Sequence, residues 1–139
     1  MTILETILTE LHDQLMQGLG TTVERNSPLP EELDGLSLAV LHDGDPGEPE
    51  VTMSPLTYHF QHRAELDLFA QGIDRQTEFN RLKIAVADTL DLDRTLGGLV
   101  DWVEPMAPNV NDLPLAGAGT IKAASVPIIL HFATTNPLT

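Results

Sequence analysis

The sequence contains no cysteine, which excludes disulfide bonds, thiolate metal sites and cysteine nucleophiles. Aromatic residues are also scarce, at 4% of the chain, so the hydrophobic core must depend on aliphatic side chains. The overall hydrophobic fraction of 42% supplies these in ordinary amount. A chain of 139 residues has the size of one domain with one core, and we expect a single domain over residues 1–139.

Basic residues are few: seven Lys and Arg stand against 21 Asp and Glu, for a formal net charge of −14. A protein that grips nucleic-acid phosphates needs clustered positive charge, and so does a protein that docks on anionic lipids. The charge balance therefore argues against both classes, and we expect no membrane partner. An acidic surface favours solubility, and it also suits a wall that DNA must pass without adhering.

Long apolar runs are absent as well, because none approaches the roughly 20 residues of a transmembrane helix. The N-terminal segment 1–19 has a helical apolar pattern interrupted by Glu5, Glu10 and Asp13. A signal peptide would instead have a basic start and an unbroken apolar stretch. We therefore expect a protein that is made and used in the cytoplasm.

Two helices are predicted from apolar spacing and capping residues. Thr2 and Glu5 form a capping box, and the helical pattern behind them ends near Gly18 or Gly20. Asp74 is placed to cap a second helix. The apolar stripe of that helix consists of Phe79, Leu82, Val86 and Leu90.

Strands are predicted where apolar and polar residues alternate. The clearest case is Tyr58–Ala70, whose alternation is typical of a strand with one buried and one wet face. Shorter strands are predicted at Val23–Asn26, Leu36–Leu41, Leu99–Met106 and Thr120–Ala133. Pro127 predicts that the last of these lies at a sheet edge or contains a bulge, because proline cannot donate a ladder hydrogen bond.

Two segments rich in proline, glycine and polar residues, Asp43–Met53 and Asn109–Gly119, are predicted to be exposed loops. We expect the first to be mobile in the free subunit and to become ordered against a neighbouring protein. The resulting element order, α-β-β-β-α-β-β, indicates an α+β fold in which a mostly antiparallel sheet packs against two helices.

Motifs for catalysis or cofactor binding are not recognisable in the sequence. His59 and His62 are three apart on a predicted strand, so they face opposite sides and cannot share a metal ion. The run from Asp43 to Glu50 lacks the ligand spacing and the flanking helices of a calcium loop. There is no nucleophile elbow, P-loop or dinucleotide fingerprint. We therefore expect no enzyme, no catalytic residue, no metal and no cofactor.

Five segments carry a resemblance to a known family. They are Val23–Asn26, Leu41–Pro49, His62–Asp67, Asp93–Asp101 and the strand Ile121–Phe132. With these segments, in this order, the chain resembles the tail-terminator, or tail-completion, proteins of bacteriophages and alphaproteobacterial prophages. The turn Thr95-Leu96-Gly97-Gly98-Leu99 is the most diagnostic part. Its two glycines also have a local role, since they let a helix end and a strand begin within a few residues.

The resemblance implies a structural virion protein that forms a homo-hexameric ring. Such a ring caps the tail tube, stops its polymerisation and joins the tail to the head. Its implied partners are the tail tube protein and the head-completion (stopper or connector) protein, and the genome DNA passes through the channel without specific binding. The implied location is the neck of the virion, assembled in the host bacterial cytoplasm, with a non-contractile tail favoured.

Acidic residues on exposed loops and wet strand faces are the candidates for contact with neighbours or for lining the channel. These interaction and lumen-facing candidates are Asp43, Asp45, Glu48, Glu50, Glu65 and Asp67.

Two alternative functions stay open at this point. One is another neck or tail-tube component of the same particle, which its position in an assembled virion would distinguish. The other is a small cytoplasmic enzyme or ligand-binding domain, which a deep pocket lined by converging polar groups would favour.

Overall fold

The computed structural model of the protein describes residues 1–30, 32–114 and 120–139. These residues form two helices, α1 (Ile3–Gly18) and α2 (Arg75–Leu92). They also form seven strands: β1 (Val23–Arg25), β2 (Ser37–Asp45), β3 (Glu50–Thr52), β4 (Thr57–Ala70), β5 (Trp102–Pro105), β6 (Asn109–Pro114) and β7 (Thr120–Thr134).

All seven strands belong to one sheet, with the order β1-β2-β4-β7-β5. Strand β3 pairs with the start of β4, beyond the end of β2, and β6 pairs with the start of β7, beyond β5. The β1–β2 pair is parallel and every other pair is antiparallel. The predicted α+β fold, with two helices on a mostly antiparallel sheet, is therefore confirmed.

Both helices pack on one face of the sheet and form the main core with it. Strand β4 shows why, because its apolar residues alternate with polar ones, so that Ala64, Leu66 and Leu68 are fully buried on this face. The buried side chains of α1 and α2 contact that row. The predicted stripe of α2 is confirmed, since Phe79, Leu82, Val86 and Leu90 are all buried.

The helices meet closely where α1 ends. A Cβ atom built on Gly18 would lie 1.9 Å from Thr89 Oγ1, so glycine is required for this approach. At the start of α1, Thr2 Oγ1 accepts a hydrogen bond from the Glu5 amide at 3.2 Å, as predicted. Asp74 occupies the N-cap of α2 but its side chain makes no capping hydrogen bond. Neither described helix has the length and apolar character needed to cross a bilayer.

The predicted loop Asp43–Met53 is wrong in most of its length. Strand β2 continues through Asp45, and β3 begins at Glu50, so both belong to the sheet. The β2–β4 register shifts between His42 and Asp45, and Gly44 in this bulge has φ 76°. The proline, glycine and acidic content of this segment suggested a loop. Edge strands that gain ladder hydrogen bonds nevertheless tolerate polar residues and bulges.

The predicted loop Asn109–Gly119 is also wrong over its described part. Residues Asn109–Pro114 form β6 and pair with β7, whereas 115–119 lie outside the described residues. The prediction that Pro127 marks a sheet edge or a bulge is wrong for the edge, because β7 is paired on both sides. The bulge alternative agrees with the register, which shifts by one residue between the pairs Pro105↔Ile128 and Asn109↔Ser125. Pro127 lies opposite the interruption between β5 and β6, where its carbonyl accepts from the Met106 amide at 2.9 Å. No partner strand is there to need its missing N–H.

Candidate functional site

None of the described residues forms a helix on the second face of the sheet, and we call it the helix-free face. Residues that pair across adjacent strands point to the same face, so its members follow from the strand registers. They include His42, Asp45, Glu50, His59, Gln61, Arg63, Glu65, Asp67, Trp102, Glu104, Ser125, Ile129 and His131.

Polar side chains of the helix-free face are linked in pairs. His42 Nε2 lies 2.9 Å from Asp67 Oδ2, and His131 Nε2 lies 3.1 Å from Glu104 Oε1. The His131 ring also stacks on Trp102, with centroids 4.7 Å apart. The helix-free face is thus a polar surface on which several side chains are held in place by contacts with one another.

At one end the helix-free face is covered. Val40, Phe69, Ile121 and Ala123 form a second, smaller core there, and Leu33 of the segment before β2 packs on it. The other end, where β3 and the start of β4 lie, has no such cover among the described residues. The uncovered part is therefore the end that carries most of the predicted acidic residues.

The structure separates the six predicted acidic residues into two groups. Asp45, Glu50, Glu65 and Asp67 lie on the helix-free face, and Glu48 lines a cleft beside Glu50. Asp43 instead lies on the helix side, within the subunit's own contacts. Asp45, at the end of β2, closes a local turn in which its carboxylate accepts from the Gly47 amide at 2.8 Å.

Asp43 belongs to an ion-pair cluster that joins α1, β1 and β2. Arg25 donates to Glu5 Oε1 at 2.7 Å and to Asp43 Oδ1 at 2.8 Å. The hydrogen bond from Arg25 lowers the pKa of Glu5. Partial burial opposes ionisation of Asp43, but hydrogen bonds from Arg25 and Asn26 lower the pKa of that carboxyl below its ordinary value. The two carboxylates raise the pKa of Arg25 in turn. This cluster fixes the first helix to the sheet.

His62 lies next to this cluster but on the buried side of β4, with 1% of its surface exposed. Its Nε2 donates to the Asp43 carbonyl oxygen, whereas its Nδ1 has no hydrogen-bond partner. His59 is exposed and contacts Thr52 Oγ1 at 3.0 Å. The prediction that His59 and His62 face opposite sides is therefore confirmed.

Within residues 1–30, 32–114 and 120–139, no group of three or more His, Cys, Asp or Glu side chains is arranged to hold a metal ion.

Open cavities formed by described residues include two larger ones. The larger, about 1140 Å³, lies between the segment before β2 and the start of α2, and its walls include Glu24, Glu32 and Asp34. The smaller, about 450 Å³, is a cleft at the uncovered end of the helix-free face. The cleft brings Glu50, His59 and His131 to one edge of Trp102.

The diagnostic turn after α2 is held by its own hydrogen bonds. The Asp93 carboxylate accepts from the Gly97 amide at 2.8 Å and from the Thr95 amide at 3.2 Å, and the Gly97 hydrogen bond lowers the pKa of Asp93. Leu96 is fully buried although its φ is 50°, a left-handed conformation that is costly for leucine. Gly97 and Gly98, at φ 70° and 88°, continue the reversal that directs the chain into β5.

Sequence reasoning missed two exposed apolar regions. One is the hairpin of β3 and β4, where Met53 is 74% exposed. The other is the outer side of α2, where Ile84 is 61% exposed opposite the predicted stripe. An apolar residue off the buried stripe of a helix was the available signal for the second.

No protein-family model and no curated protein matches this chain.

Proposed function

We propose that this protein is the tail terminator of a tailed bacteriophage or prophage, a structural subunit that assembles into a ring on the tail tube. In that role it stops tube polymerisation and presents a surface to the head-completion protein. The observation that carries the proposal is the uncovered part of the helix-free face. It is a polar sheet surface rich in acidic residues, which suits a wall or an interface between proteins.

The charge of this face supports the proposal. Five acidic residues on the helix-free face stand against Arg63, so its balance is acidic; they are Asp45, Glu50, Glu65, Asp67 and Glu104. Phosphates are repelled by such a surface, whereas a basic lining would bind them tightly at low salt. We assign the channel-facing role to Glu50, Glu65 and Asp67, with Glu48 at their margin. Asp43 is less suited to this role because Arg25 already neutralises it.

The diagnostic turn offers further support. The buried Leu96 and the Asp93 cap show why that short motif is needed for folding, and the motif is the one that most resembles the tail-terminator family. The motif is thus a specific helix–strand corner, and this local role is also compatible with the resemblance to the family.

Electron microscopy of the purified protein and of the particles that carry its gene tests the proposal. We expect rings with a central hole, and antibody labelling at the junction between head and tail. A protein that never enters particles and never forms rings, even with tail tubes added, would contradict it. Labelling along the whole tube would instead identify another tail component.

The channel role has a matched charge-reversal test. Glu65→Lys with Asp67→Lys reverses two charges on the helix-free face, and Glu10→Lys with Asp13→Lys reverses two on α1. Both variants should fold, because Glu10, Asp13, Glu65 and Asp67 lie outside the hydrophobic core and are exposed or partly exposed, and changes of surface charge usually alter stability little. Particles with the first variant should package or eject DNA poorly, and particles with the second should behave as the parent does. Equal infectivity of both would reject the channel assignment.

A second candidate, a small ligand-binding domain, is favoured by the cleft at Trp102. Trp102 is the only tryptophan of the chain and is stacked on His131 at the cleft edge, so its fluorescence reports on occupancy. Titration with nucleotides, sugars and short peptides would decide this point. A saturable change at micromolar ligand would favour the ligand-binding domain over the ring subunit.

A further inference from the structure

The cleft at the uncovered end of the helix-free face combines an exposed aromatic ring with carboxylates. Its walls include Glu48, Glu50, Asp101 and Trp102. Trp102 lies opposite His131 in the β5–β7 ladder, and their rings stack with centroids 4.7 Å apart and an angle of 7° between the planes. His131 therefore holds the indole in place, while 42% of the Trp102 surface stays exposed to solvent.

The carboxylates of the cleft are not neutralised by the subunit. Glu48, Glu50 and Asp101 are exposed, and none of their carboxylate groups has an ion-pair or hydrogen-bond partner among the described residues. The described walls of the cleft contain no lysine or arginine. Arg63, which lies farther along β4 on the same face, has Glu65 as its ion-pair partner at 3.9 Å. A cleft with unpaired carboxylates attracts a cation.

A guanidinium group suits the cleft better than an ammonium group does. Because it is planar, it stacks on an indole ring while its N–H groups reach carboxylates at the edge of that ring. Carboxylates accept such N–H groups in bidentate pairs, which are stronger than single hydrogen bonds. An ammonium group is attracted by the same charges but has no flat surface to stack. The chemistry of the cleft therefore favours arginine over lysine.

The charge of the chain indicates which molecule supplies the arginine. Each copy carries a formal charge of −14, so two copies repel one another. Four of the five arginines of the chain are paired with carboxylates of their own subunit; they are Arg25, Arg63, Arg81 and Arg94. An open cleft of about 450 Å³ encloses one side chain, whereas a small ligand needs most of its surface buried. These observations favour a different protein, with a basic segment, over a second copy or a small molecule.

We propose that the cleft at Trp102 is a docking site for an arginine side chain on a basic segment of a partner protein. The guanidinium group stacks on the exposed part of Trp102 and donates to the carboxylates of the cleft. Tryptophan and arginine are the residue types that most often dominate the binding energy of protein interfaces. Glu50 lies at the border between this docking site and the channel-facing surface, because Glu65 and Asp67 do not line the cleft.

Tryptophan fluorescence tests the site directly, because Trp102 is the single tryptophan of the chain. The probe is a Gly-Arg-Gly peptide with an acetylated N-terminus and an amidated C-terminus. The matched control peptide has citrulline in place of arginine, which keeps the shape and removes the charge. We expect a saturable change in the millimolar range with the arginine peptide, weakened by added salt, and none with the citrulline peptide. Equal changes with both peptides would overturn the proposal.

Two double variants with the same net charge locate the bound peptide. Glu48→Gln with Asp101→Asn removes two carboxylates from the cleft, and Glu10→Gln with Asp13→Asn removes two from α1. None of the four side chains is buried, so circular dichroism should show the parent fold for both variants. The first should weaken binding of the arginine peptide by about 2- to 10-fold, and the second by less than about twofold. Equal weakening would mean that net charge alone attracts the peptide, and the docking site would be rejected.

The stacking contact has its own test, read from the NMR signals of the peptide because the variant lacks the fluorophore. Trp102→Leu should weaken binding of the arginine peptide, and it should abolish the preference of the protein for arginine over a Gly-Lys-Gly peptide. A variant that binds both peptides as the parent does would show that Trp102 takes no part, and the guanidinium assignment would be wrong.

Two further measurements separate the other occupants. Free L-arginine should bind no more tightly than the blocked peptide, because both carry the same net charge and the peptide adds main-chain contacts. Tighter binding of free arginine would identify a small-ligand site and overturn the proposal. Sedimentation of the protein should be unchanged by the peptide. If the peptide dissociated oligomers, the occupant would be a second copy of this chain, and the proposal of a different partner would fail.

This inference does not rest on the proposed function, and the two fail separately. Rings at the head–tail junction made of a protein that ignores the arginine peptide would keep the tail-terminator function and refute the docking site. Arginine recognition by a protein that is missing from particles would keep the docking site and refute the function. The millimolar binding expected here also differs from the micromolar ligand that would favour a ligand-binding domain.

Discussion

The two faces of the sheet are built from alternate residues of the same strands, yet they differ in almost every property. On the helix side of β4, Leu66 is fully buried beneath α1 and α2. On the other side, its neighbours Glu65 and Asp67 are partly exposed and contact only other polar side chains. The helix side determines whether the chain folds, and the helix-free side is left available for function.

The largest expected effect comes from the helix side. Leu66→Ala removes a fully buried side chain, and we expect a loss of about 2–5 kcal/mol in the free energy of unfolding. Glu65→Ala, one residue away on the other face, should change it by less than about 0.5 kcal/mol. Urea unfolding of both variants measures the difference. Similar losses would mean that the helix-free face also carries a substantial part of the stability.

A smaller effect is expected at the bulge between His42 and Asp45 in β2. Gly44 has φ 76°, and a Cβ atom there would lie 1.9 Å from the backbone oxygen of Arg63. Gly44→Ala combines left-handed strain with a backbone clash, so we expect a loss of about 2–4 kcal/mol. Gly47 has φ 67° with open space around its Cβ position, so Gly47→Ala isolates the strain at about 1–2 kcal/mol. Equal losses would show that the clash relaxes.

The ion-pair cluster on the helix side predicts a pH effect with a definite sign. The folded-state pKa values of Glu5 and Asp43 lie below their ordinary values of 4.5 and 3.8. Their contribution to stability is therefore complete above those ordinary values and is lost as the pH falls through the lowered ones. Arg25→Gln should flatten the fall in unfolding free energy between about pH 6 and pH 3.

Arg75→Gln is the control for that experiment, because it removes the same charge from a side chain that has no described carboxylate partner. Its pH profile should parallel that of the parent protein. Identical profiles for Arg25→Gln and the parent would show that the cluster contributes nothing to acid sensitivity.

Local patterns in the sequence were sufficient for the helices and the long strand. The 3.6-residue period of α1 and the alternation of β4 each report burial directly, and both were confirmed within a residue or two. Loops were predicted where β3 and β6 lie. Those predictions failed because a short edge strand is stabilised by pairing with a strand that is distant in the sequence. Proline and glycine content near Pro46 and Pro114 says nothing about that neighbour.

The candidate surface was predictable only in part. Alternation placed Glu65 and Asp67 on the wet face, and the register places Glu50 on the same face, opposite His59. Asp43 was grouped with these residues because loop acids look alike in sequence. Its place on the other face follows from the continuation of β2, which puts its carboxylate next to Arg25. The pairing of Arg25 with two acids on different elements is a tertiary property that no local pattern contains.

The smallest expected effect concerns the polar pairs of the helix-free face. His42 Nε2 and Asp67 Oδ2 are 2.9 Å apart, but both side chains are about a third exposed, so solvent weakens their interaction. A double-mutant cycle with His42→Ala and Asp67→Ala should give a coupling energy below about 1 kcal/mol. Because the fold does not depend on this pair, either single variant that impairs ring assembly or DNA passage would do so through the surface itself. A coupling of several kcal/mol would instead make the pair part of the folding core, and would remove the distinction between the two faces at this position.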